Sequence, residues 1–180
     1  ATVTAQLTVN RLSAGSGLIR VGNGDSAGSL IVKESRGGNH IFLDPVFTDG
    51  VGIEGASSLV YQESDVVDQI EVGRNSYAVI GTDSAEDFLS AWKLSGLTWG
   101  TEGITAAVYL DGPVSVTGAL NVDGSLDDPT TLKNGTVIFA SHSLLVANVS
   151  DLTGTLITAD AITVDEDSRA VLTGVSAGTE

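Results

Sequence analysis

The chain has 180 residues and carries 23 acidic against 8 basic side chains, a formal net charge of −15. That balance excludes a surface built for nucleic-acid phosphates or anionic membranes, which both need clustered Lys and Arg. The largest basic grouping, Lys33 and Arg36, has Glu34 inside it. With no Cys, disulfides, thiolate nucleophiles and Cys-type zinc sites are excluded as well.

Hydrophobic residues make up 42% of the chain, enough for a core in one medium domain, so a folded chain is expected. Val, Ile and Thr are stiff at χ1 and suit pleated sheets, and 22 Gly against 3 Pro supply turns, so the composition leans all-β. Met is absent, and Ala1 fits removal of an initiator or of a leader. No apolar stretch approaches about 18 residues, so no membrane-spanning helix is expected.

In chain order, "ATVTAQLTVN" alternates: Val3, Ala5, Leu7 and Val9 face one way, Thr2, Thr4, Gln6 and Thr8 the other. This predicts one half-buried strand at the chain terminus, able to pair at home or with a neighbouring subunit. "LIRV", "SLIVKE" and "HIFLDPVF" follow as strands parted by Gly-rich turns, with Pro45 as a break. Residues 57–81 read as two or three strands, with a short helical turn over 65–71 as the alternative. In "TDSAEDFLSAWKLSG" one helix is signalled over 84–95. Ser84 and Asp87 form a capping-box pattern, Ala85, Phe88, Leu89 and Trp92 share a face, and Gly96 is the stop. Trp92 and Trp99 are expected to pack under it as core plugs.

Past residue 103 the strands shorten and Gly punctuates them regularly. "GTVIFASHSLLVANVSDLTG" (135–154) runs into "GTLITADAITVDEDSRAVLTG" (154–174), two segments that open alike at an offset of nineteen residues and close alike in Leu-Thr-Gly. That offset suits either successive β-hairpins or rungs of a short solenoid-like stack. The fold expected is therefore mainly β. An antiparallel sandwich or barrel-like lobe, 1–103, carries the helix. A lobe at 104–174 holds a β-hairpin or a short β-solenoid-like stack, and 175–180 is a tail. One continuous domain is the alternative division.

Candidate chemistry is thin. "GNGDSA" (22–27) matches a variant of the dinucleotide fingerprint, but a strand-like segment follows it where a helix is required, so it reads as a turn. His40 and His142 lack metal-ligand spacing, and Ser141-His142-Ser143 reads as an exposed turn with no nucleophile-elbow pattern nearby. Asp165 and Asp167, and Asp123 and Asp127, are Ca²⁺ candidates as clustered loop carboxylates. Neither set matches the EF-hand spacing, and solvated acidic turns are the better reading. Carboxylates are too plentiful to point to a glycosidase pair. Asn134 and Asn148 head N-x-[ST] sequons. No catalytic residue, cofactor or metal is assigned.

Two resemblances complete the reading. The alternating N-terminus resembles the donor strand of chaperone–usher-type pilins, although the chain lacks their Cys pair and an alternating final strand. The whole chain is Ala/Thr/Val/Gly-rich, acidic and Cys-free, with short strands and Gly turns, and this texture resembles bacteriophage capsid decoration (cement) and fibre proteins. The resemblance implies a non-enzymatic virion-surface subunit, meeting like subunits as a trimer or larger array and a capsid scaffold. The alternatives are a secreted pilus or surface-filament subunit joined through Val3, Ala5, Leu7 and Val9, and a carbohydrate-binding or hydrolytic module.

Overall fold

Runs such as Ser76–Ile80 (SYAVI) and Ala106–Asp111 (AAVYLD) are apolar at almost every position, and nearly every residue in them is buried. Alternation is lost because both faces of these strands are covered, the usual condition of parallel sheets. The computed structural model describes residues 1–46, 52–100, 103–148 and 155–173. Every strand pairing among them is parallel.

The chain winds through two long sheets, here A and B, and a short sheet C. Strands β1 (Thr2–Val3), β3 (Leu18–Val21) and β5 (His40–Leu43) enter sheet A, alternating with β2 (Gln6–Val9), β4 (Ser29–Val32) and β6 (Ser57–Tyr61) in sheet B. After β6 the chain passes through β7 (Asp65–Val66) in sheet C to β8 (Gln69–Val72) in A and β9 (Ser76–Ile80) in B. Helix α1 (Ala85–Ser95) then leads to β10 (Ala106–Asp111), which lies beside β9 in the same sheet. From there β11 (Val114–Val116) lies in C, and β12 (Ala119–Asp123) and β13 (Thr136–Ala140) both lie in A. The last strands are β14 (Ser143–Asn148) in B, β15 (Ile157–Thr158) in C, β16 (Ala161–Val164) in A and β17 (Arg169–Thr173) in B. The result is a β-solenoid of seven levels in sheets A and B.

Two crossovers interrupt the winding and compensate for each other. The segment from β9 to β10, with α1, climbs one level on sheet B without visiting A. The segment from β12 to β13 climbs one level on sheet A without visiting B. The corner between A and B at the fifth level is therefore made of two separate stretches of chain. The Thr105 hydroxyl closes it by donating to the Gly124 carbonyl at 3.1 Å. Gly124 is required here, because a Cβ would collide with Ser141 O and Thr105 Oγ1.

Side chains sort by strand parity. Ala78, Ile80, Val108, Leu110 and Ala147 line the lumen with the inward residues of sheets A and C, including Ile70, Leu120 and Val137. Their neighbours Tyr77, Val79, Ala107, Tyr109, Leu144 and Val146 point outward and pack under α1 against Phe88 and Ala91. The Phe88 ring lies 4.9 Å from Tyr77 and 6.2 Å from Tyr109, within the range of favourable aromatic pairing. Trp92 and Trp99 meet edge to face at 5.7 Å beside this cluster and are only partly buried. The helix ends at Gly96 in the left-handed conformation (φ 68°). Ser84 is its N-cap by backbone geometry, but its side chain makes no capping bond.

The antiparallel sandwich and the C-terminal hairpin are thus corrected. The Gly-rich turns do not reverse the chain beside its predecessor; they turn it onto the next sheet. The two look-alike segments are not the structural repeat. Val137 pairs with Ile162 and Leu145 with Ala170, an offset of twenty-five, whereas the second segment's Ile157 lies in sheet C. The alternating N-terminus is two strands in two sheets, and residues 65–71 contain β7 and part of β8 in place of a helical turn. Sheets A and B run past residue 103 without a break, and the expected tail at 175–180 lies outside the described residues.

Candidate functional site: the open coils and the sheet A clasp

Parallel stacking puts equivalent side chains in columns along the solenoid. In sheet A one inward column runs Val3, Val21, Leu43, Val72, Val122, Phe139, Val164. In sheet B two run Leu7, Leu30, Leu59, Ala78, Val108, Leu145, Ala170 and Val9, Val32, Tyr61, Ile80, Leu110, Ala147, Leu172. The internal members are largely sealed. The last are not: Val164 and Leu172 are 60% and 51% exposed, and Ile162, which stacks on Val137 and Leu120 in a further column of sheet A, is 47% exposed. Strands β16 and β17 each pair on one side only among the described residues, as do β1 and β2 at the opposite end. Both terminal coils thus present unpaired backbone groups beside lumen side chains, a template for strand addition.

The residues expected to form an assembly surface at the N-terminus are dispersed by the corner between β1 and β2. Val3 is buried beneath its own coil, Val9 packs against the lumen, and Ala5 lies exposed on the corner. Leu7, 45% exposed, is the apolar side chain this end offers. Sequence reasoning missed Ile162 and Val164, which adjoin the carboxylates of "VDEDS" (164–168), and Leu172 farther on. The Ile162/Val164 alternation was the available signal.

A polar cluster occupies the outer face of sheet A. Glu71 is completely buried there. Its carboxylate accepts from the Thr130 amide at 2.9 and 3.1 Å, from the Thr130 hydroxyl, and from Asn121 Nδ2 at 3.3 Å. His40 Nε2 lies 2.7 Å away. Burial pushes the Glu71 carboxyl up, but the hydrogen bonds from His40, Thr130 and Asn121 outweigh it and leave the group below its ordinary range. Gln69 Nε2 also donates to the Thr130 carbonyl at 3.1 Å. The chemistry is that of a clasp. With both oxygens occupied, the carboxylate ties the 124–135 crossover to the sheet and has no free lone pair to offer a substrate. Sequence reasoning missed Glu71, since nothing in "DQIEVG" separates it from a solvated glutamate.

The remaining candidates sit apart. Asp165 caps a turn, accepting from Ser141 N at 2.8 Å and from Ser168 Oγ and Asp167 N at 2.8 and 3.1 Å. The Ser141 amide bond, then the Ser168 hydroxyl, holds its carboxyl below the usual range. Asp123 accepts from the Ser125 amide and hydroxyl, and Asp127 is exposed on the crossover. Among the described residues no three His, Asp or Glu side chains gather in a metal-holding group. His142 is exposed on a corner at φ 62°. In "GNGDSA" the Asn23 side chain accepts from the amides of Asp25 and Ser26, a turn between β3 and β4. Asn134 is exposed, while the sequon of Asn148 extends beyond the described residues. A groove of about 600 Å³ separates α1 from the turn at Ile53–Gly55, with Leu89, Trp92 and Lys93 in its wall.

No helix among the described residues is long and apolar enough to cross a membrane. The chain matches no protein-family model, no curated protein and no solved structure.

Proposed function

We propose that the chain is a non-enzymatic structural subunit of a multi-copy assembly, a surface or decoration protein whose work is coil-to-coil contact between subunits. The observation that carries this reading is the open C-terminal coil: Ile162, Val164 and Leu172 stand in register with sealed lumen columns and remain half exposed. Burying that surface against a matching coil removes apolar area from water and pairs two strand edges at once. The charge of −15 suits display in many copies, because it keeps subunits soluble at high local concentration. Sedimentation velocity across a wide concentration range tests the reading. Concentration-dependent growth beyond a monomer is expected, with Val164→Lys reducing it. A wild-type chain that sediments as a monomer throughout would contradict it.

A further inference from the structure

Given the multi-copy reading above, on which this inference rests, the partner of the open C-terminal coil follows from the charges at the two ends. The first two coils carry Arg11, Arg20, Lys33 and Arg36, half of the chain's basic residues, against Asp25 and Glu34; Glu34 bridges Arg11 and Arg36, and Arg20 pairs with Asp44 of the third coil, which leaves a small net positive charge at this end. The last coil carries Asp160, Asp165, Glu166 and Asp167 against Arg169. A solenoid with a basic first end and an acidic last end is mispaired with itself in reverse. Tail-to-tail contact would bring two such acidic coils together, and like charges at an interface are penalised.

We infer that the open C-terminal coil docks on the N-terminal coil of a second copy of this chain, head to tail. The register supports this as strongly as the charge does. A second copy set on β16 and β17 with all strands parallel places its Val3 over Val164, its Leu7 over Ala170 and its Val9 over Leu172, continuing the three columns without a shift. Leu7 then gains the lumen burial that its column partners Leu30 and Leu59 already have. The interface is heterologous and continues the columns along one axis, so it repeats as an open array and does not stop at a dimer.

Two end-blocked variants test the inference. Leu7→Asp blocks the first end and Val164→Lys the last. Both positions are about half exposed, and near-UV circular dichroism confirms that each variant keeps the wild-type fold. If either is lost to misfolding, Thr8→Pro or Leu172→Lys blocks the same end. Each variant alone is expected to be monomeric, with association weakened at least about tenfold, or about 1.4 kcal/mol. The equimolar mixture is expected to form a heterodimer and nothing larger, because one free last end meets one free first end. Self-association of Leu7→Asp would show tail-to-tail pairing, that of Val164→Lys head-to-head pairing, and a mixture of monomers neither; each result overturns the inference. These results leave the multi-copy reading standing if the wild-type chain assembles. A wild-type chain that never assembles defeats that reading and this inference with it.

Discussion

Phe139 and Val164 occupy the same column of the same sheet, one directly above the other. Phe139 is 3% exposed and Val164 60%. Nothing in the local sequence separates them: both are inward residues of short apolar strands preceded by a Gly- or Asp-containing turn. The difference is position. In a solenoid each coil is covered by the next, so burial depends on neighbours along the axis and not on the strand itself. The middle of the molecule is also closed from outside, by α1 on sheet B and by the clasped 124–135 crossover on sheet A. Among the described residues the terminal coils have a lumen but no lid.

The largest effect that sharpens this contrast is in the lumen. Leu120→Ala, at a fully buried position in the fifth level, is expected to cost about 2–5 kcal/mol in urea unfolding. Val164→Ala, at the open end, is expected to stay within about 0.5 kcal/mol when compared in the Leu7→Asp background, which keeps the chain monomeric. Equal costs would mean that the last coil is covered.

The clasp comes next. Glu71→Gln leaves its buried donors poorly matched and is expected to cost about 1–3 kcal/mol at neutral pH. The pH dependence carries a sign. The folded pKa of Glu71 lies below the unfolded value of about 4.3, so its contribution is complete above that value and is lost as pH falls through the folded pKa. Wild type should lose stability over that acid window, and Glu71→Gln should lose less, by parallel thermal melts. An identical acid slope in the two proteins would remove Glu71 from the account.

Two glycines extend the comparison. A Cβ on Gly118 would collide with the Asp68 carbonyl, whereas one on Gly17, beside the first coils, meets nothing within 4 Å. Gly118→Ala is expected to destabilise by about 1–3 kcal/mol. Gly17→Ala is expected to be neutral or stabilising by up to about 1 kcal/mol, through loss of unfolded-state freedom.

Most strands and the helix were legible in the sequence, although the N-terminal alternation read as one strand where there are two; the pairing was not legible. A strand's partner lies 22 residues on for Ile19 and Ile41, 29 for Ile41 and Ile70, 50 for Ile70 and Leu120, and 17 for Leu120 and Val137. No fixed period survives the two crossovers, so the nineteen-residue likeness near the C-terminus drew attention to the wrong alignment. The unbroken apolar runs of β9 and β10 were the one local sign of a parallel, doubly covered sheet. The clasp was hidden for a related reason: Glu71 and Thr130 are fifty-nine residues apart and meet only because a crossover folds back over sheet A. The smallest expected effect concerns a motif that was legible but does not form. Since the Ser84 side chain makes no capping bond, Ser84→Ala is expected to change stability by under about 0.5 kcal/mol, against about 1 for a working cap.

The most direct measurement is electron microscopy of the wild-type chain over increasing concentration. Head-to-tail stacking of seven-level subunits, at about 4.8 Å per level, should give rods that lengthen in steps of about 34 Å. Particles of one fixed size at every concentration would contradict the claim that the open coils join one subunit to the next.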